Sequence, residues 1–481
     1  MLELFFLLLC ADKASEGIGW NLHIKTPFNI LAFISQMNLP QTIKEQLDPL
    51  KDLLPNQTPY SFCHRIPTDR AIVTPKSVTA QVGHTFRSLS HNLALVEAQP
   101  KIEFSWHHVQ KKENTLANIV DEHLHILLIP FPYKITAQAI TPIAPPEKHG
   151  SNGQKYGYFQ LNQGWIPKKK ETQGKETPLK NQAQQANEIY EKLVLPLIKK
   201  SKDHCEIDCI VFPECALPES IADELAKKIL QNNSSEHSIR LLITGTASKS
   251  DKKNTSYNNA TSYFFFKKPN TTNNPKPQDY LVKKQHSKHH RWKLDISQIK
   301  RYGFSSFPAD TNTDWWESID VTKRKIPFYA VSPHSCITVL ICEDLARNDP
   351  AMPTVRAVGP NLIIALLMDG PQIKGRWSAK YAGVLAEDPG SAVLSVTSVA
   401  MIDRSNSLEQ NKSRSVALWQ RPGGQTESIE LPKGHHGLVL SLATTAIEQV
   451  TMNKVADECN TRRYELMGVE ALQVDNPEKW L

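Results

Sequence analysis

The sequence has no run of roughly 18 apolar residues, the length a helix needs to cross a bilayer, so no helical membrane span is expected. It has no CxxC pair. Its eight cysteines (Cys10, Cys63, Cys205, Cys209, Cys215, Cys336, Cys342 and Cys459) are spread without regular spacing over 481 residues. That pattern excludes a disulfide-stapled scaffold and fits reduced thiols of a cytoplasmic protein. Cys205, Cys209 and Cys215 lie close together, but their spacing fits no zinc template, and no metal is expected. The opening MLELFFLLLC imitates a signal peptide. Its only early charge is Glu3, however, and no small-residue cleavage site follows, so it reads as the first turns of a buried helix. No internal repeat of solenoid period occurs. What is present is globular: 40% hydrophobic and 22% charged residues exclude a disordered or collagen-like chain. Lys plus Arg number 56 against 49 Asp plus Glu, a net +7 that favours encounter with anions without implying a nucleic-acid binder.

Along the chain, residues 1–120 read as an N-terminal extension, mostly helical and irregular, with apolar runs broken by Pro27, Pro40 and Pro55. A basic, hydroxyl-rich stretch over 76–87 reads as a solvated linker or a docking arm. At HILLIPFPYKI (125–135) the texture becomes a continuous apolar run, the mark of a strand buried on both faces. A core domain over 121–445 is expected, with an exposed polar insertion at about 143–182. Ile189, Leu193 and Leu197 recur at helical spacing, with a kink expected at Pro196. The strand CIVFPE follows, then a helix marked by Ile221, Leu225 and Ile229, then the strand RLLITGTAS. TSYFFF and DYLVKK read as a hairpin. ITVLIC, LIIALLMDG, AVLSVTSVAMI, SVALW and GLVLSLA supply further buried strands, with Gly359 placed to cap a short helix opening at Pro353. Residues 446–481 read as a polar tail of modest helical character. The class is α/β with mixed sheets.

Three positions stand where buried strands end, the place at which α/β sheets present side chains to a crevice. Glu214 follows Ile210-Val211-Phe212-Pro213, where desolvation raises a carboxylate toward the range of a general base. Cys342 closes ITVLI and precedes Glu343-Asp344, so its sulfur can face a crevice with backbone N–H groups free to hold an oxyanion. Third is a lysine in the cluster Lys283, Lys284, Lys288, Arg291 and Lys293, interleaved with His286, His289, His290 and Trp292. Beside a thiol such an ammonium favours the thiolate; the competing reading is a basic, aromatic strip that grips nucleic acid.

IVFPECALPE, a mid-domain lysine after a strand, and VLICEDLAR together resemble the carbon–nitrogen hydrolase, or nitrilase, superfamily over roughly residues 123–445. The resemblance implies a four-layer αββα sandwich and hydrolysis of a non-peptide amide or nitrile through a covalent thioester. It makes Cys342 the nucleophile, Glu214 the general base and Lys288 the stabiliser of the tetrahedral intermediate, with Lys284 as the rival lysine. No metal and no organic cofactor is implied, and homo-oligomerisation through helical faces is. Family members often carry a second glutamate soon after the lysine; here the next is Glu317, far downstream, which leaves that fourth position open. Glu317, Glu343 and Trp377 are candidates for substrate contacts. Tyr302, Phe304, Trp315 and Trp316 either line a pocket or pack a long loop. More narrowly, QHSKHHRWKL, LLMDGPQ, RWSAKYA and AEDPGS resemble the nitrilase domain joined to reverse transcriptases in some prokaryotic antiviral-defence proteins. This sequence has no YxDD pair. On that reading residues 1–120 would serve a reverse-transcriptase-type partner or nucleic acid, and the alternative function is a catalytically divergent binding module.

Overall fold

A computed structural model describes residues 2–14, 71–73, 89–96, 102–109, 123–148, 155–166, 178–233, 239–250, 252, 254–266, 279–308, 312–332, 335–408, 412–451, 454, 456 and 461–481. Fourteen strands form two seven-stranded mixed sheets. In chain order they are β1 (Glu103–His108), β2 (His123–Leu128), β3 (Cys209–Pro218), β4 (Leu241–Lys249), β5 (Ser256–Phe266), β6 (Tyr280–Ser287) and β7 (Lys325–Ser332). There follow β8 (Ser335–Ile341), β9 (Leu362–Leu366), β10 (Ala392–Val396), β11 (Ser415–Gln420), β12 (Thr426–Glu430), β13 (Gly437–Ile447) and β14 (Thr461–Leu472). The first sheet runs β6-β5-β4-β3-β2-β13-β14 and the second β12-β11-β10-β9-β8-β7-β1. Each has a parallel centre, β2-β3-β4 in one and β8-β9-β10 in the other.

The parallel centres are the continuous apolar runs. Every residue of β8, β9 and β10 is buried, as strands sandwiched on both faces must be. The sheets meet face to face, where Phe264 and Tyr329 pack edge to face and Ser262 Oγ lies 2.8 Å from Tyr329 Oη. Helix Glu219–Asn232 covers the first sheet with Ile221, Leu225 and Ile229 on its buried face, at the spacing expected from sequence. Helix Trp377–Glu387 packs on β10 and β11 of the second. Gly359 caps the short helix Met352–Val358 in the left-handed conformation, as anticipated.

Several expectations need correction. Helix Leu2–Ala14 forms, but Leu4, Phe6 and Leu7 are exposed rather than buried. Residues 103–108, assigned to the extension, are the edge strand β1, parallel to β7. The supposed exposed insertion contains the strand Lys155–Leu161, whose alternating burial buries Phe159. It belongs to a third, five-stranded sheet with Ile140–Pro142, Glu147–Lys148, Lys293–Leu294 and Thr313–Glu317. Pro196 does not kink a continuous helix. A π-helical turn, Tyr190–Val194, precedes it and Pro196 sits in the first turn of Leu195–Ser201, where a missing N–H is harmless. In place of a helical tail, residues 461–472 are β14, antiparallel to β13. The stretch 76–87 and the apolar runs of 15–70 lie outside the described residues.

Candidate active site

Glu214 sits inside β3, where its pairing with β4 breaks between Phe212 and Leu217 and Cys215 takes a positive φ of 51°. Gly245 of β4 faces this break. A Cβ there would come within 2.4 Å of Glu214 Cα and 2.5 Å of Cys215 N, so only glycine admits the irregular backbone. Lys288 lies one residue beyond β6, its amide bonded to Asn258 O at 2.7 Å. Its ammonium donates to Glu214 Oε1 at 2.9 Å and to Glu317 Oε2 at 2.8 Å. Asn258 Nδ2 donates to Glu214 Oε1 and Glu317 Oε1, both at 2.8 Å, and Trp292 N reaches Glu317 Oε2 at 3.1 Å. Lys288 is 1% exposed and Glu214 4%. The third sheet brings Glu317, 29 residues further along the chain, back to the lysine.

The rival lysine is elsewhere. Lys284 stands opposite Ser262 in the β5–β6 ladder, outside this cluster. Lys283 pairs with Glu219 and Asp223, each at 2.7 Å. Of the basic segment, His286, Lys288, His289 and Trp292 are buried and so offer no continuous surface strip.

Cys342 opens a 3-10 turn, Cys342–Ala346, directly after β8 and has a φ of 43°, a conformation that strains a non-glycine residue. Asp344 ties this turn to the lysine segment: both its oxygens accept from His289 N at 3.1 Å, and His290 Nδ1 lies 2.8 Å from Oδ1. Burial, then the Glu214 charge, pushes the Cys342 thiol well above its usual range, while Lys288 pulls it down. Burial also raises the Glu214 carboxyl; Lys288 opposes this, Glu317 adds to it, and the result is upward. For Lys288 burial favours the neutral amine, but Glu214, Glu317 and Cys342 more than offset it and keep the ammonium. Glu214 Oε2 is buried without a hydrogen-bond partner, free to accept a proton. Burial first, and then the charge of His289, lowers His286 to about 3, so it stays neutral.

Glu343 is half-buried and 3.5 Å from Arg347, outside the lysine cluster. Trp377 Nε1 donates to Asp369 Oδ2 at 3.0 Å. Asp369 Oδ1 also accepts from Tyr302 Oη and Arg376 Nη2, each at 2.6 Å, and from Gly370 N at 2.7 Å. Its charge adds to the upward push on the Cys342 thiol. Tyr302, Phe304 and Trp315 are buried in an apolar cluster with Met368 and Met401; Trp316 is half-buried. Sequence reasoning did not single out Asn258, Asp344 or Asp369. Asp369 carried a usable signal, since it follows LIIALLM as Cys342 follows ITVLI; Asn258 carried none.

No family model matches the chain, and no curated protein does. Solved structures do. Nit3 of Saccharomyces cerevisiae, described as a member of branch 10 of the nitrilase superfamily, is 13% identical over 63% of this chain and 84% of its own, with a TM-score of 0.32. The amidase of Nesterenkonia sp. AN1 is 8% identical over 64% and 87%, with a TM-score of 0.32. A glutamine-dependent NAD(+) synthetase of Cytophaga hutchinsonii is 10% identical over 64% of this chain and 41% of its own, with a TM-score of 0.27. The two seven-stranded sheets and the helices on their outer faces make an αββα sandwich. In this sandwich Glu214 and the segment leading to Lys288 come from the first sheet, Cys342 from the end of the second and Glu317 from the third.

Proposed function

We infer that this chain is a thiol-dependent hydrolase of a non-peptide carbon–nitrogen bond, most simply an amide. The observation that carries the reading is the buried Lys288 held between Glu214 and Glu317 while Glu214 Oε2 stays unpartnered. A purely structural ion cluster would use both oxygens of its central carboxylate; one left bare is suited to proton transfer. Glu214 takes the thiol proton as Cys342 Sγ attacks the carbonyl carbon, and the alkoxide that forms is held by the Lys288 ammonium and a backbone N–H of the turn. Glu214 returns the proton to the leaving nitrogen, the C–N bond breaks, and a thioester remains. Water then loses a proton to Glu214 and attacks the thioester; the acid leaves and the thiol regains its proton. With the thiol held protonated at rest, base and nucleophile must act in one event. Nitriles are the other substrate class of this chemistry.

The test is intact-mass trapping of the acylated protein during turnover of short-chain amides, with peptide mapping of the adduct. An acyl group on Cys342, absent from Cys342→Ala and strongly slowed in Glu214→Gln, supports the reading. Acylation elsewhere, or turnover that survives both changes, overturns it.

A further inference from the structure

Consecutive residues of a strand face opposite sides of the sheet. In β5, Asn258 holds the two carboxylates, and Asn259 opens on the other side. There a cavity of about 470 Å³ is lined by Asn259, Tyr257, Lys249, Lys323 and Lys325. Ser287, the residue before Lys288, lines it too, so the cavity backs directly on the carboxylate–lysine cluster. Asn259 is 2% exposed and its Oδ1 has no hydrogen-bond partner, a buried acceptor that lacks a donor. Lys249 and Lys323 are exposed and make no ion pair among the described residues; the Lys323 ammonium lies 4.5 Å from the centroid of the Tyr257 ring. The one carboxylate in the wall, Glu219, is engaged by Lys283 at 2.7 Å. Glu219 also begins the 14-residue helix Glu219–Asn232, whose N-terminus has no side-chain cap and adds the positive end of its dipole.

We propose that this cavity binds a phosphate-bearing small molecule of about mononucleotide size, at a site separate from the thiol. Its volume falls within the range of roughly 300–1,000 Å³ usual for small-molecule sites. Lys249 and Lys323 meet the phosphate, and Tyr257 offers a flat apolar face to the attached group. The test is calorimetric titration of the full chain with adenosine monophosphate, inorganic phosphate and adenosine. Adenosine monophosphate is expected to bind saturably and more tightly than either fragment. Lys249→Ala with Lys323→Ala is expected to weaken it about tenfold or more, the loss of charge-assisted contacts, without change in the circular dichroism spectrum. Lys323→Glu, a surface change that leaves the core intact, is expected to weaken it further. Equal affinity for inorganic phosphate and the nucleotide overturns recognition of an attached group. Absence of saturable binding by all three, or nucleotide binding untouched by the lysine changes, overturns the site.

Discussion

Replacing Lys288 by Met keeps most of the side-chain length but leaves Glu214 and Glu317 buried, bridged by Asn258 at 2.8 Å each and without their cation. Removing one partner of a buried ion pair typically costs about 3–5 kcal/mol. The cost is expected to depend on pH. In the variant at least one of the two carboxyls gains a folded-state pKa above its unfolded value, so folding takes up a proton. Stability from that protonation is fully present below the unfolded pKa and is lost as pH rises through the folded one. The deficit against wild type should therefore be smallest in mild acid and largest above neutrality. Urea unfolding followed by tryptophan fluorescence at several pH values measures it. Adding Glu214→Gln and Glu317→Gln to Lys288→Met removes the stranded charges and should recover most of the loss without restoring amide turnover. Unfolding midpoints equal to wild type at every pH, or a triple variant no more stable than the single, would refute the buried-cation account.

Because the Glu214 carboxyl is held above its ordinary value of 4.5, the acid limb of kcat/KM should have its midpoint above that pH. A midpoint at or below it removes Glu214 as the base. Glu317 contributes to that upward shift, so Glu317→Gln should move the limb to lower pH; stopped-assay pH profiles decide it. Gly245→Ala forces a Cβ onto the backbone of Glu214 and Cys215, and should cost about 1–3 kcal/mol in urea unfolding, as overpacking does. Tyr302→Phe removes one of the donors to Asp369 and should cost about 1.5 kcal/mol by the same assay; no measurable change would show that the arrangement around Asp369 does not depend on it.

Glu214 and Cys342 were legible as candidates because each puts an ionisable side chain at the end of a long apolar run. Lys288 was preferred to its rival Lys284 only for the lysine-then-histidine segment that it opens; in the structure Asn258 and Glu317 reach it from other strands. Glu317 was named but its place was not, because a partner 29 residues along becomes a neighbour only through the small third sheet. The central strands were read correctly since burial on both faces leaves no polar residues to blur the pattern. The edge strands were missed for the converse reason. In β14 the exposed middle, Met467 to Glu470, hides the alternation that would announce a strand, and Lys155–Leu161 alternates within a stretch whose polar flanks dominate its composition.

β14, the strand misread as a tail, reaches across the sandwich. Tyr464 Oη bonds Ser335 Oγ at 3.0 Å, and the Arg462 carbonyl accepts from Asn361 Nδ2 at 2.7 Å. Both partners sit at the entry to strands of the opposite sheet, Ser335 being the first residue of the strand whose far end delivers Cys342. Glu214 belongs to one layer and Cys342 to the other, so these bonds tie together the two layers that carry them. β14 is therefore a cross-tie: a strand that holds none of the candidate residues bonds the two layers at the base of the strand that ends at Cys342.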